Sequence, residues 1–209
     1  MGFLESGIGE FLADWIDQDD PVLGAMEEEA RERSFPIVGP EVGRFLAQLV
    51  LLSRARRILE MGSGFGYSAL WMAQYLPSGG RVIQTETDPD NVARSREYFQ
   101  RAGCEDRTEW HLGDAMEIAS NLEGGFDLVL IDVEKSGYPA AFEQVRDRLN
   151  PGGVLVVDNA LWRGQVANPN FQDSSTLGVR KLLEAVASDR TLLCSLLPLR
   201  DGVLVAMRR

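Results

Sequence analysis

Apolar residues in the first quarter of the chain recur at helical spacing. Phe3, Leu4, Ile8, Phe11, Leu12, Trp15 and Ile16 fall on one helical face. Asp20-Pro21 reads as an N-cap followed by proline at the first helical position, and it opens a second amphipathic helix through Val22, Leu23, Met26 and Ala30. Pro36 and Gly39 break the pattern. Pro40-Glu41 then starts a third helix carrying Val42, Phe45, Leu46, Leu49 and Val50. Near Arg56 the period changes, and short strand-like runs alternate with helical ones. The strands fall at Arg57–Met61, Arg81–Glu86, Thr108–Leu112, from Phe126 to Asp132 and from Gly153 to Asp158. Helices are predicted from Tyr67 to Ala73, from the Asp88-Pro89 cap to about Ala102, and from Tyr138 to about Leu149. This alternation predicts a parallel sheet covered by helices on both faces. Thr191 to Leu197 and Val203 to Met207, joined by a turn at Arg200-Asp201-Gly202, read instead as an antiparallel hairpin. With no linker composition or internal repeat, residues 1–209 are expected to form one domain: a helical extension over 1–53 and a core over 54–209.

Composition adds limits. The chain has 209 residues, 44% hydrophobic and 25% charged, as in ordinary globular proteins. No apolar run reaches bilayer length, and the start lacks the basic flank of a signal peptide. The two cysteines, Cys104 and Cys194, have no metal-ligand spacing and read as reduced buried thiols. A cytoplasmic protein without membrane association is expected. The net charge of −11 disfavours broad electrostatic capture of nucleic acid. Arg31, Arg33, Arg44, Arg54, Arg56 and Arg57 gather before the core, and read either as a locally basic mouth or as solvated helix faces.

The first expected core strand ends in Glu60-Met61-Gly62-Ser63-Gly64-Phe65-Gly66. Glycines at a strand-to-helix turn let a ligand approach backbone N–H groups. The spacing differs from G-x-G-x-x-G, and the acid at Glu60 suits an ammonium and opposes a pyrophosphate. This loop resembles that of the S-adenosylmethionine-dependent methyltransferases, whose Rossmann-like, doubly wound, mostly parallel seven-stranded sheet also ends in an antiparallel hairpin. Ligands of such a sheet sit at the carboxyl ends of the strands. Glu86, ending the second strand, is placed to accept from both ribose hydroxyls, unless it merely caps a helix. Asp114 is placed to accept from the adenine amino group, with the Ala115 N–H beside the ring, or to cap the next helix. Ser68 is placed either to bond the methionine carboxylate or to bond backbone within its turn.

The fourth and fifth strands end in acids too. Adjacent parallel strands would bring Asp132, Asp158 and Asn159 to one rim, an all-oxygen set suited to Mg²⁺, Mn²⁺ or Ca²⁺. The runs Asp132-x-x-Lys135-x-x-Tyr138, Pro151-Gly152-Gly153 and Asp158-Asn159-Ala160-Leu161-Trp162-x-Gly164, with Ile37-Val38-Gly39-Pro40-Glu41, resemble the cation-dependent O-methyltransferases, which include the catechol and caffeoyl-CoA enzymes. The resemblance implies metal ligands at Asp132, Asp158 and Asn159. It implies cofactor contacts at Val38, Glu60, Gly62, Ser63, Ser68, Glu86, Asp114, Ala115 and Asp132. It also implies a general base at Lys135, acting with Asp132, and a homodimer. The alternative for Lys135 is an ion-pair partner of Glu134 or Asp158. Glu134 stands where many members carry Asp, at a position that is no ligand in the family pattern.

The chemistry implied is methyl transfer to a metal-bound hydroxyl of a catechol-like small molecule. A divalent cation lowers the pKa of a phenol, and a second hydroxyl fixes the geometry of attack. Bacterial relatives resembling this chain instead methylate a hydroxylated wobble uridine, 5-hydroxyuridine, in tRNA, which makes tRNA the alternative acceptor. A non-catalytic cofactor-binding protein is the third reading, against which the intact ligand set stands. Tyr138 and Trp162 either wall an aromatic acceptor or belong to the core. His111 reads as a structural histidine in a core strand, and Arg163 as exposed. The stretch from Asn168 to Leu177 has no readable conformation.

Overall fold

The structure, a computed structural model, describes Phe11, Trp15 and residues 20–209. Phe11 and Trp15 are helical and exposed. The other residues of the expected first helix, Phe3, Leu4, Ile8, Leu12 and Ile16, lie outside the described residues. Helix α1 (Pro21–Glu32) starts where the sequence places it. Asp20 accepts from the N–H groups of Val22 and Leu23, and Pro21 supplies the fixed φ of the first turn. Helix α2 spans Gly39–Ser53 and ends at Arg54, in a left-handed conformation.

Seven strands form one sheet: β1 (Arg57–Met61), β2 (Arg81–Glu86), β3 (Thr108–Leu112), β4 (Phe126–Ile131), β5 (Leu149–Val157), β6 (Leu192–Leu197) and β7 (Val203–Arg208). Their spatial order is β3-β2-β1-β4-β5-β7-β6. β1 to β5 pair in parallel, and β7 inserts antiparallel between β5 and β6. The doubly wound, mostly parallel sheet with its terminal hairpin is therefore as expected. Strand alternation sends side chains to two separate cores. Ile58, Leu128, Leu130 and Val156 pack toward α1, α2, α3 (Tyr67–Gln74) and α4 (Pro89–Arg101). Leu59, Val129, Ile131 and Val157 pack toward α5 (Ala115–Asn121), α6 (Tyr138–Val145) and α7 (Ser174–Ser188). Burial on both faces explains why the strands read as continuous apolar runs.

Several expectations are corrected. The helix from Tyr138 ends at Val145 and gives way to a 3-10 turn, Arg146–Arg148. β5 begins at Leu149, earlier than Gly153, because a register shift against β4 absorbs Asn150–Gly153, where Pro151 has no N–H to donate. His111 is not in a core strand: β3 is the sheet edge, the imidazole is 35% exposed, and it lies 3.7 Å from a Glu109 carboxylate oxygen. Cys194 is only half buried. Arg57 is no solvated helix residue; it starts β1, stacks on Phe126 and donates to the Gly125 carbonyl. Helix α7 was not anticipated. Asp173 caps it by accepting from Thr176 N–H at 2.9 Å, and Val179, Leu182 and Val186 bury its inner face. Among the described residues no helix is long and apolar enough to cross a membrane.

Candidate active site

The glycine loop leaves β1 at the centre of the sheet, between β2 and β4. Gly62 sits at φ +87°, and a Cβ there would lie 2.4 Å from the Asp132 carbonyl oxygen. Only glycine allows the loop to pass that close to the end of β4. The loop is pinned on its other side by β2: Ser63 N–H donates to the Thr85 carbonyl, and Thr85 Oγ1 accepts from Gly62 N–H.

Glu60, the last-but-one residue of β1, is completely buried. Ser68 Oγ donates to its Oε1, and Oε2 has no hydrogen-bond partner. Burial drives its pKa up from 4.5 to about 7; the nearby Ser63 and Ser68 hydroxyls oppose that rise, and the Asp132 and Glu86 charges add to it. A buried carboxylate oxygen without a donor lacks a cationic partner, and an amino-acid ammonium fits that need. Ser68 in this structure serves Glu60 rather than its own turn.

Two openings meet at Gly62 and Glu86. One, of about 270 Å³, is lined by Val38, Gly62, Ser63, Ser68, Glu86, Asp132, Lys135, Asp158 and Asn159, among others. The second, of about 320 Å³, runs past Thr87, Gly113, Asp114, Ala115 and Met116. All the residues expected to contact cofactor or metal, except Glu60 behind the loop, thus line one continuous trough. Glu86 Oε1 already accepts the N–H groups of Thr87 and Asp88, both at 2.8 Å, so Oε2 is the oxygen left for a ligand. This narrows the expectation that both oxygens take ribose hydroxyls. Asp114 does cap α5, through Oδ1 to Met116 and Glu117 N–H, and its Oδ2 side chain oxygen remains for the trough. The segment Phe35–Val38 lies along the trough, with Phe35 edge-on to Phe65 at 5.1 Å between centroids.

At the far end, β4 and β5 deliver Asp132 and Asp158 side by side, following the paired residues Ile131 and Val157. Asp158 is buried, and its pKa is pushed up to about 7, first by burial and then by the Asp132 charge. Asn159 follows with φ +51°, a left-handed turn that Asn tolerates well. Two adjacent carboxylates with an amide oxygen make a hard donor set whose mutual repulsion a divalent cation would relieve, so the residues present fit such an ion. Among the described residues, no three His, Cys, Asp or Glu side chains converge to hold a metal ion.

Lys135 Nζ lies 2.7 Å from Asp132 Oδ1, with its side chain 12% exposed. Its ion-pair partner is thus Asp132, not Glu134 or Asp158 as the alternative had it. Glu134 instead accepts from Ser175 Oγ at the start of α7. Tyr138 belongs to the core, and its hydroxyl donates to the Asp158 carbonyl at 2.9 Å. Burial raises its pKa well above 10. Trp162 is half buried in the turn Trp162–Ala167, and Arg163 is exposed.

Two contributors escaped the sequence reading. Gly178 lets α7 pack on the Lys135 turn: a Cβ there would meet the Lys135 carbonyl oxygen at 2.2 Å. Arg180 donates to the carbonyls of Gln165 and Phe171 at 2.8 Å and of Val166 at 2.9 Å, which fixes the loop after Asn159. Both are legible only once α7 is seen beside that loop.

Comparison with known proteins places this geometry in context. The family model described as O-methyltransferase matches residues 17–209. The catechol O-methyltransferase of Niastella koreensis is 32% identical over 180 residues, 83% of this chain and 81% of that protein. Among solved structures, the O-methyltransferase from Bacillus cereus in complex with SAH is 29% identical, with a TM-score of 0.88 over 97% of both chains. The O-methyltransferase TomG from Streptomyces achromogenes, in complex with SAM, is 28% identical, with a TM-score of 0.87 over 96% of this chain and 95% of the other.

Proposed function

The chain belongs to the O-methyltransferase family and is an S-adenosylmethionine-dependent enzyme, and from that premise we propose that its acceptor is a catechol-like small molecule presented at Asp132, Asp158 and Asn159. The observation that supports this most is the shared trough: Ser68 and Glu86 line it together with Asp132, Asp158 and Asn159, and the orphaned Glu60 oxygen is buried behind its glycine loop. Glu60 would hold the methionine ammonium, Glu86 Oε2 a ribose hydroxyl, and Asp114 with Ala115 the adenine edge. Asp132, Asp158 and Asn159 would hold a divalent cation, Mg²⁺ above all, which when bound acidifies a phenolic hydroxyl and fixes a vicinal pair. Lys135 Nζ lines the same trough, held in place by Asp132, and in its neutral amine form would take the hydroxyl proton as general base. S-adenosylmethionine, when bound, would supply the electrophilic methyl to the deprotonated hydroxyl oxygen, with S-adenosylhomocysteine as the other product. Phe35–Val38 would keep water from the reacting atoms.

Radiolabelled methyl transfer from S-adenosylmethionine to catechol tests this. Turnover with Mg²⁺, its loss with chelator, its recovery on Mg²⁺ addition and its loss in Asp158→Ala are expected. Turnover indifferent to chelator and to Asp158→Ala would remove the metal role. Failure with every diol, together with a methylated hydroxyuridine missing from the tRNA of a deletion strain, would move the acceptor to tRNA.

A further inference from the structure

Beyond the metal-facing end, the trough opens into a cleft of about 410 Å³ lined by Ile37, Val38, Asp158, Asn159, Arg200 and Asp201. Among the described residues, Arg200 is the only basic one that lines it. It sits at the β6–β7 turn with φ +49°, and its guanidinium occupies space that Gly39 leaves open, where a Cβ would come within 2.4 Å of Cζ. Nη1 donates to Glu41 Oε2 at 3.2 Å. Asp201, its neighbour, is engaged elsewhere, with Oδ1 accepting the Arg163 N–H. The side chain of Arg200 is 44% exposed. The guanidinium is thus held at one edge and lines the cleft together with Ile37, Val38, Asp158 and Asn159, with donors beyond the one Glu41 uses.

We propose that Arg200 selects acceptors bearing a carboxylate on the side of the ring remote from the diol. The inference rests on the diol reading above. If the diol lies at Asp158–Asn159 and the ring along Ile37–Val38, the ring's far substituent meets Arg200. A planar, permanently charged fork matches a carboxylate in two parallel hydrogen bonds. On a chain of net charge −11, an anionic acceptor is repelled at long range, so a cation at the mouth decides whether it is admitted. The competing role is purely mechanical: Arg200 ties the hairpin to α2 through the largely buried Glu41 carboxylate.

The test compares 3,4-dihydroxybenzoate with 3,4-dihydroxybenzamide, using the full chain with Mg²⁺. Wild type is expected to favour the acid in kcat/KM. In Arg200→Met the acid-to-amide ratio should fall about tenfold, the scale of a charge-assisted hydrogen bond that is partly solvated. Glu41→Gln, which weakens the tie by removing its negative charge but keeps the cation, should preserve the ratio. Equal losses on both diols in Arg200→Met and Glu41→Gln would show an anchor only and overturn the proposal. So would a wild-type preference for the amide, or a ratio that Arg200→Met does not change. Turnover of neither diol would overturn the diol reading itself and this inference with it.

Discussion

Replacing Glu60 with glutamine keeps the shape of the side chain and removes a charge that the ligand-free protein tolerates poorly. The carboxyl has a pKa near 4.5 when solvated and about 7 in the folded protein, with burial as the chief cause. The folded state therefore holds a proton that the unfolded chain has released. The stability this confers is fully present below pH 4.5 and is lost as pH rises through 7. The gap between the two values amounts to about 3 kcal/mol at pH 8. Asp158 titrates in the same interval, so the difference between wild type and Glu60→Gln isolates the Glu60 contribution. Ligand-free Glu60→Gln should melt about 6–12 °C above wild type at pH 8, given about 2–4 °C per kcal/mol for a chain of this size. That advantage should largely vanish by pH 5. Binding has the opposite sign. An ammonium needs the ionised carboxylate, so wild-type affinity for S-adenosylhomocysteine should rise about tenfold from pH 6 to pH 8. Glu60→Gln should bind about 10–100-fold more weakly at pH 8 and lose that pH dependence. Thermal melts across pH and titration calorimetry measure both. A Glu60→Gln protein that is less stable at pH 8, or that binds S-adenosylhomocysteine as well as wild type does, would refute the reasoning.

Three further substitutions probe the scaffold of the site. Gly62→Ala places a methyl against the Asp132 carbonyl at positive φ and should cost about 2–4 kcal/mol, read as a lower denaturation midpoint together with weakened S-adenosylhomocysteine binding. Tyr138→Phe leaves the buried Asp158 carbonyl without its donor and should cost about 1–2 kcal/mol in chemical denaturation; an unchanged midpoint would mean that water replaces the hydroxyl. Arg180→Met frees the carbonyls of Gln165, Val166 and Phe171, so hydrogen exchange should accelerate in the 165–171 loop while β1 and β4 stay protected.

Much of the fold follows from the order of residues alone. Strands buried on both faces need unbroken apolar runs, as in Leu128 to Ile131, and those runs are visible without coordinates. Caps announce themselves as Asp20-Pro21 and Asp88-Pro89, because a proline at the first helical turn has no other comfortable place. Glu60 before the glycines, and Asp132 and Asp158 at strand ends, could be picked out because a parallel sheet puts its ligands at one edge. Local signals failed where partners come from far along the chain. His111 looks like a core residue until the strand order makes β3 an edge. Helix α7 hides behind the polar run Asn168 to Thr176, whose loop is ordered by Arg180 from within that helix. The partner of Lys135, the single free oxygen of Glu86 and the placement of Arg200 against Gly39 were decided only by packing. Periodicity and end residues are properties of neighbours in sequence, whereas a carboxylate's donor, a strand's edge and a guanidinium's resting place are set by segments that meet only when the chain has folded.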